Sequence, residues 1–318
     1  MKHLLLILLL FLSGCRNAWI DPDKDVYIDP QDTKSTASKS IPDSSNIIRV
    51  AVASMTTPAE TMNQYDQLFK YLETRLHKKI VLVQRKTYKE VNNLLKNNYL
   101  QFAFICSGAY VTGYADSAFN IFLIPQHYNE THYHAYVIAK ADAPYKSFND
   151  LRGKRFVFSD SISNTGMFYP LKRLSDLNSN PNDFFSHVYM SNAHDNSIEL
   201  VRRGIIDAAS VNSLIYDYTK SVYPEKVTNI KIIEKSEPFG MPPIVVSKKI
   251  DPTLRDSLYG ILTNMNHDPE GNQILRGLMI DKYIQASNDQ YNSIRKMCSQ
   301  IDYPTSITNG NDKSLSRK

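Results

Sequence analysis

The chain has 318 residues, 37 Lys and Arg against 32 Asp and Glu, a formal net charge of +5, and 42% hydrophobic residues. That length holds one large or two ordinary domains with real cores. Residues 1–46 and 304–318 together carry eight basic and seven acidic side chains, and the stretch between them has no long basic run, which argues against a nucleic-acid-binding surface.

Residues 1–14 have the layout of a lipoprotein signal. Lys2 and His3 make a short positive start, residues 4–12 form an apolar run too short to span a bilayer, and Leu12-Ser13-Gly14 precede Cys15. Small residues directly before a cysteine are what lipobox cleavage requires, so Cys15 is expected to become the lipidated first residue. A retained short membrane anchor is the weaker alternative. Several acyl chains on one residue hold a protein at a membrane where a single chain would not. Residues 15–46, rich in Asp, Ser, Thr, Lys and Pro, read as a flexible tether, and residues 301–318 as a frayed polar tail. The expectation is an exported lipoprotein of the cell envelope, facing the periplasm or the cell exterior.

Between these ends, short apolar runs alternate with helical patterns. Residues 47–53 predict a strand, and 62–76 a helix with Tyr65, Leu68, Phe69, Leu72 and Leu76 on one face. A strand at 80–83, a helix at 88–97 and a strand at 102–105 follow, then apolar runs at 121–124 and 133–139. Ser147 with Asp150 opens a capped turn before a strand at 155–158. Further strands are expected at 187–190, 208–211, 230–234 and 243–247. Asp251-Pro252 pairs an N-cap with proline at the first helical position and starts a helix through residue 265. The βα alternation predicts an α/β fold with parallel-rich sheets flanked by helices. Two runs, 133–139 and the proline-rich 236–243, suggest crossings between lobes. The expected division is 47–139 plus 240–300 for one lobe and 140–239 for the other, a hinge-closing pair around a cleft.

Cys106 and Cys298 allow either a disulfide or two free thiols, and no metal-ligating or catalytic cysteine spacing is present. His127, His132 and His134 raise a metal-binding alternative, but with Glu130 as the one acidic neighbour they read as surface or hinge histidines. No cofactor is expected.

The segment from Phe158 to Pro170 stands out. A β-type run feeds Ser-Asp-Ser-Ile-Ser-Asn-Thr-Gly and then an apolar helical pattern, which puts Ser163, Asn164 and Thr165 at a helix N-terminus. Orphan amides and the positive end of the helix dipole favour an anion there. The same residue types also serve as ordinary helix caps, and the loop alone leaves both readings open.

The wider succession extends this. Tyr88 begins a helix, the strand at 102–105 turns through Cys106-Ser107-Gly108, Tyr133 opens a hinge run, His194-Asp195 start a helix ending at Arg203-Gly204, and Asn212-Ser213 open the next. Over residues 47–295 this resembles the periplasmic phosphate/phosphite/phosphonate-binding proteins, solute-binding components of phosphonate-type ABC transporters. The resemblance implies a two-lobe periplasmic-binding-protein fold of type II and a non-catalytic, lipid-anchored receptor. Such a receptor closes on a small phosphorus oxyanion and docks a permease. It implies that Ser163, Asn164 and Thr165 cradle the oxyanion, that Tyr88 and Tyr133 donate phenolic hydrogen bonds, and that Ser107 offers a donor at a strand end. It further implies that His194 approaches from the second lobe and that Asn212 lies at the cleft wall. The family's Ser-Thr-Ser-Gly loop reads Ser163-Asn164-Thr165-Gly166 here. Members that take aminated phosphonates resemble one another in carrying carboxylates where this chain has Leu214 and Met241-Pro242, so poor binding of aminoalkyl phosphonates is expected. Asp207 is expected to anchor a turn. A sensory module signalling to a separate membrane partner and a periplasmic phosphatase acting through Ser163 are the alternatives from other classes.

Overall fold

The computed structural model describes residues 46–115 and 117–301. The lipobox with Cys15, residues 15–45 and residues 302–318 lie outside the described residues. Short runs of β-branched and aromatic residues form thirteen strands among those described. They are β1 (Ile47–Val52), β2 (Lys79–Leu82), β3 (Phe102–Phe104), β4 (Phe119–Gln126), β5 (His132–Tyr133), β6 (Ala135–Lys140) and β7 (Arg155–Phe158). After these come β8 (His187–Met190), β9 (Ala208–Asn212), β10 (Ile230–Lys235), β11 (Phe239–Gly240), β12 (Ile244–Ser247) and β13 (Lys282–Gln285).

The strands make two lobes. The first sheet has the order β13-β4-β12-β3-β1-β2 and the second β10-β6-β9-β7-β8. Within them β1 runs parallel to β2 and β3, and β7 parallel to β8 and β9. The strands β4, β6, β10, β12 and β13 pair antiparallel instead. Both sheets are therefore mixed. The segments that change sheet, between β4 and β6 and between β10 and β12, carry no helix.

The chain leaves the first sheet through β5 and returns through β11. These two short strands pair with each other, Tyr133 opposite Phe239 and His132 opposite Gly240. The change of sheet thus falls at Tyr133 rather than after Ala139, because the run at Ala135–Lys140 lies between β9 and β10 in the second sheet.

Aromatic packing fixes both lobes. On the first, the helix Pro58–Leu76 buries Leu68, Phe69 and Leu72 against the sheet, with the Tyr65 and Phe104 rings 5.1 Å apart. On the second, Phe156 stacks on Phe185 at 4.4 Å and Phe148 on Phe184 at 5.6 Å. This packing anchors β7, whose end leads into the Ser-Asn-Thr loop. The start of β7 is clamped by Asp207. Its carboxylate accepts from the Arg155 backbone N–H at 2.8 Å and from the guanidinium Nε at 3.0 Å and Nη2 at 2.8 Å, which holds its carboxyl below the usual range. Cys106 and Cys298 are free thiols. No helix among the described residues is long and apolar enough to cross a membrane.

Candidate ligand-binding site

The segment after β7 turns through Ser159 and Asp160 and enters one π-helical turn, Asn164–Phe168, which continues as the helix Tyr169–Asp176. Ser163 is the N-cap. Its hydroxyl accepts from the Gly166 N–H at 3.1 Å, and its carbonyl from Met167 at 3.1 Å and Phe168 at 3.0 Å. Two glycines permit the close packing around this start. A Cβ on Gly166 would lie 1.7 Å from Ser159 Oγ, and one on Gly108 would lie 2.4 Å from the Ile162 carbonyl oxygen and 2.6 Å from the Asn164 nitrogen.

The first lobe and the crossing strand supply the opposite wall. Tyr88, the first residue of the helix Tyr88–Lys96, and Tyr133 on β5 are both buried. Burial pushes both phenols well above their ordinary pKa, so they stay protonated and can donate. Asn164 Nδ2 donates to the Tyr133 hydroxyl at 3.1 Å, which leaves that hydroxyl's own proton to donate elsewhere. The Tyr88 hydroxyl comes near Ser163 but makes no hydrogen bond of normal geometry. Ser107, at the start of the helix Ser107–Ala115, spends its proton on the Gly240 carbonyl at 2.7 Å. It ties the first lobe to the return strand.

His194 and Asn212 stand behind the cradle. The Asn212 backbone N–H donates to His194 Nδ1 at 3.3 Å, and His194 Nε2 lies 3.5 Å from Ser163 Oγ. Because Nδ1 must accept, the ring proton sits on Nε2. Burial also lowers the imidazole to a pKa of about 3. With its proton on Nε2, the ring faces Ser163 Oγ as a donor. His194 positions Ser163. Asn212 Oδ1 accepts from the Leu214 N–H at 2.8 Å.

All eight side chains expected at the site, Tyr88, Ser107, Tyr133, Ser163, Asn164, Thr165, His194 and Asn212, are at most 1% exposed and form one cluster. The three histidines of the metal alternative go separate ways. His127 contacts the Met279 carbonyl, His132 contacts Thr131 at 3.3 Å, and His134 contacts the Ser236 carbonyl at 2.8 Å. Among the described residues, no group of three or more His, Cys, Asp or Glu could hold a metal ion.

Nine buried side-chain polar atoms among the described residues lack a hydrogen-bond partner. Four of them belong to this cluster, Tyr88 Oη, Asn164 Oδ1, Thr165 Oγ1 and Asn212 Nδ2, and a fifth, Ser159 Oγ, lies beside it against Gly166. An unmet buried polar group costs about 1–3 kcal/mol, and native proteins keep few of them. Their concentration at one helix start separates a site from a cap. The unmet groups are mostly neutral donors, which suits an anion without a permanent counter-charge.

A family model described as the periplasmic substrate-binding protein of phosphonate ABC transporters matches residues 50–291. The chain belongs to this family. The phosphonates-binding periplasmic protein of Escherichia coli is 28% identical over 170 residues, which cover 52% of this chain and 50% of that protein. The match thus spans about half the length of that curated relative. Among solved structures, a binding-protein component of an ABC phosphonate transporter from Pseudomonas aeruginosa superposes with a TM-score of 0.75 at 18% identity. It covers 79% of this chain and 85% of that one. PhnD1 of Prochlorococcus marinus, in complex with methylphosphonate, gives 0.72 at 16% identity over 80% and 98%. At such identities the likeness shows the fold, a two-lobe α/β architecture of type II.

In this substrate-binding fold the two lobes touch across the cleft, and two carboxylates that join them have no ligand role in the sequence reading. Asp160, from the second lobe, accepts from the Tyr88 N–H at 3.0 Å and so caps a helix of the first. Asp195 does the same for the helix Pro58–Leu76, accepting from the Thr57 N–H at 2.9 and 3.1 Å, and the His194 N–H donates to the Met55 carbonyl at 2.9 Å. Asp160 lies inside the segment that drew attention, next to unpaired Ser159. The partner of Asp195 is 138 positions away, and no local pattern marks it.

Proposed function

We propose that this protein is an exported, lipid-anchored solute receptor of an ABC transporter. It captures a small phosphorus oxyanion, namely phosphate, phosphite or a simple phosphonate, between its lobes and delivers it to a membrane permease. The observation that carries this reading is the group of five unpaired buried polar atoms around Ser163, Asn164 and Thr165. Oxygens of a tetrahedral anion accept from Tyr88, Tyr133, Ser159, Thr165 and Asn212, and the helix start adds its dipole. His194 and Ser107 hold the donors in place. The unpaired Asn164 Oδ1 can accept from a protonated P–OH, which a fully ionised sulfate lacks. Family membership supports the transport role, and the sequence of residues 1–15 supports the anchor through Cys15.

Calorimetry against phosphate, phosphite, methylphosphonate, 2-aminoethylphosphonate and sulfate tests the reading. Binding of at least one phosphorus oxyanion in preference to sulfate is expected. Heat from none of them overturns it. Incorporation of labelled fatty acid in a bacterial host, lost on Cys15→Ala, tests the anchor; unchanged labelling contradicts it.

A further inference from the structure

We propose that the ligand carries an uncharged, apolar organic substituent of several carbons on its phosphorus oxyanion, seated in a second cavity that meets the cradle at Asn212. This rests on the oxyanion reading above and extends it to the substrate class. The cavity measures about 100 Å³, and Asn212, Leu214, Ile215, Tyr218, Met241 and Tyr283 are among the residues lining it. No Asp, Glu, Lys or Arg lines it. Its one histidine, His127, is engaged with the Met279 carbonyl.

Two features set this space apart from a packing fault. Asn212, one of the residues of the cradle cluster, also lines this space. Its Oδ1 is spent on capping the helix Ser213–Val222, while its Nδ2 is buried and unpaired. The far wall holds Tyr283, 2% exposed, whose hydroxyl also lacks a partner. A space lined by Asn212 at one edge and Tyr283 at another, with mostly apolar side chains between, suits a neutral chain or ring attached to an anionic head. By size, a cavity of roughly 150 Å³ holds benzene, so this one takes about four carbon atoms. An ammonium group placed there would lose its hydration with no counter-charge in reach.

The test compares ligands that share one head group. Phosphate, methylphosphonate, butylphosphonate and 2-aminoethylphosphonate are titrated calorimetrically into the protein. Each buried methylene contributes roughly a fourfold gain in affinity, so butylphosphonate is expected to bind at least tenfold more tightly than methylphosphonate, and 2-aminoethylphosphonate more weakly than either. If methylphosphonate binds and butylphosphonate binds no better, this inference fails while the oxyanion reading stands. If none of the four binds, the oxyanion reading itself fails. The Ile215→Trp variant, with its fold checked by thermal unfolding, is expected to lower the butyl-to-methyl affinity ratio at least tenfold. An unchanged ratio in a folded variant also overturns the proposal.

Discussion

Two helix starts in this chain open with the same dipeptide, Ser163-Asn164 and Ser287-Asn288. At the second, Ser287 is exposed, its hydroxyl accepts from the Asp289 N–H at 3.4 Å, and its own N–H donates to Gln290 Oε1 at 2.9 Å. Asn288 Oδ1 accepts from the Tyr110 hydroxyl at 2.7 Å and from Arg295. The Ser287 hydroxyl, its N–H and Asn288 Oδ1 all find protein partners, and the result is a cap. At the first, Ser163 and Asn164 are fully buried, and Asn164 Oδ1 and its neighbour Thr165 Oγ1 find none. The local chemistry is nearly identical. What differs is whether the fold meets the side chains or leaves them for something else, and only the unmet set can recognise a ligand.

This contrast can be broken most severely at Asn164. Asn164→Asp places a carboxylate in a buried cradle built for an anion, an uncompensated charge worth about 3–5 kcal/mol. Phosphonate affinity measured by calorimetry at neutral pH is expected to fall at least a hundredfold. Near-normal affinity would mean that the cradle does not face the anion.

The next effect is on stability and comes from His194. Its folded pKa, near 3, lies below the ordinary 6.5, so the unfolded chain binds the proton that the fold refuses. The contribution is complete above pH 6.5 and is lost as pH falls toward 3, amounting to about 2 kcal/mol between pH 7 and pH 5. Urea unfolding at those two values should show a loss of this order, and His194→Gln should remove that share of the pH slope. An unaltered slope in the variant would show that His194 is not held neutral.

The smallest effect sharpens the other side of the comparison. Ser287→Ala removes a satisfied cap and should cost about 1 kcal/mol or less in denaturant unfolding. Phosphonate affinity should stay unchanged, and a drop would deny the separation between cap and cradle.

Much of the fold was legible because its strands are strongly apolar. The runs at Arg155–Phe158, His187–Met190 and Ala208–Asn212 stand within a residue of expectation. What the pattern could not say was which sheet a strand joins. Residues 135–140 look like a strand from either lobe, and the crossing itself is two residues long, too short for any periodicity. The half-exposed edge strand Lys282–Gln285 carries no clear alternation and went unpredicted. At the site, motif order brought the eight expected residues to one cluster, but not the division of labour within it. That Ser107 spends its proton on Gly240, and that both nitrogens of His194 face protein atoms, depends on contacts 18 to 133 positions apart in sequence.

The central claim, that the unpaired buried atoms around Ser163 exist to meet an oxyanion, is tested most directly by Thr165→Val. This substitution keeps the shape and deletes one unmet hydroxyl. Methylphosphonate titrated into the wild-type and variant proteins, alongside their ligand-free unfolding curves, gives both readouts. A hydrogen bond to a charged group is worth about 1.5–3 kcal/mol. Affinity should therefore fall by roughly ten- to a hundredfold, while the ligand-free variant is as stable as wild type or more so. Unchanged affinity, or a variant destabilised in the absence of ligand, would contradict the account.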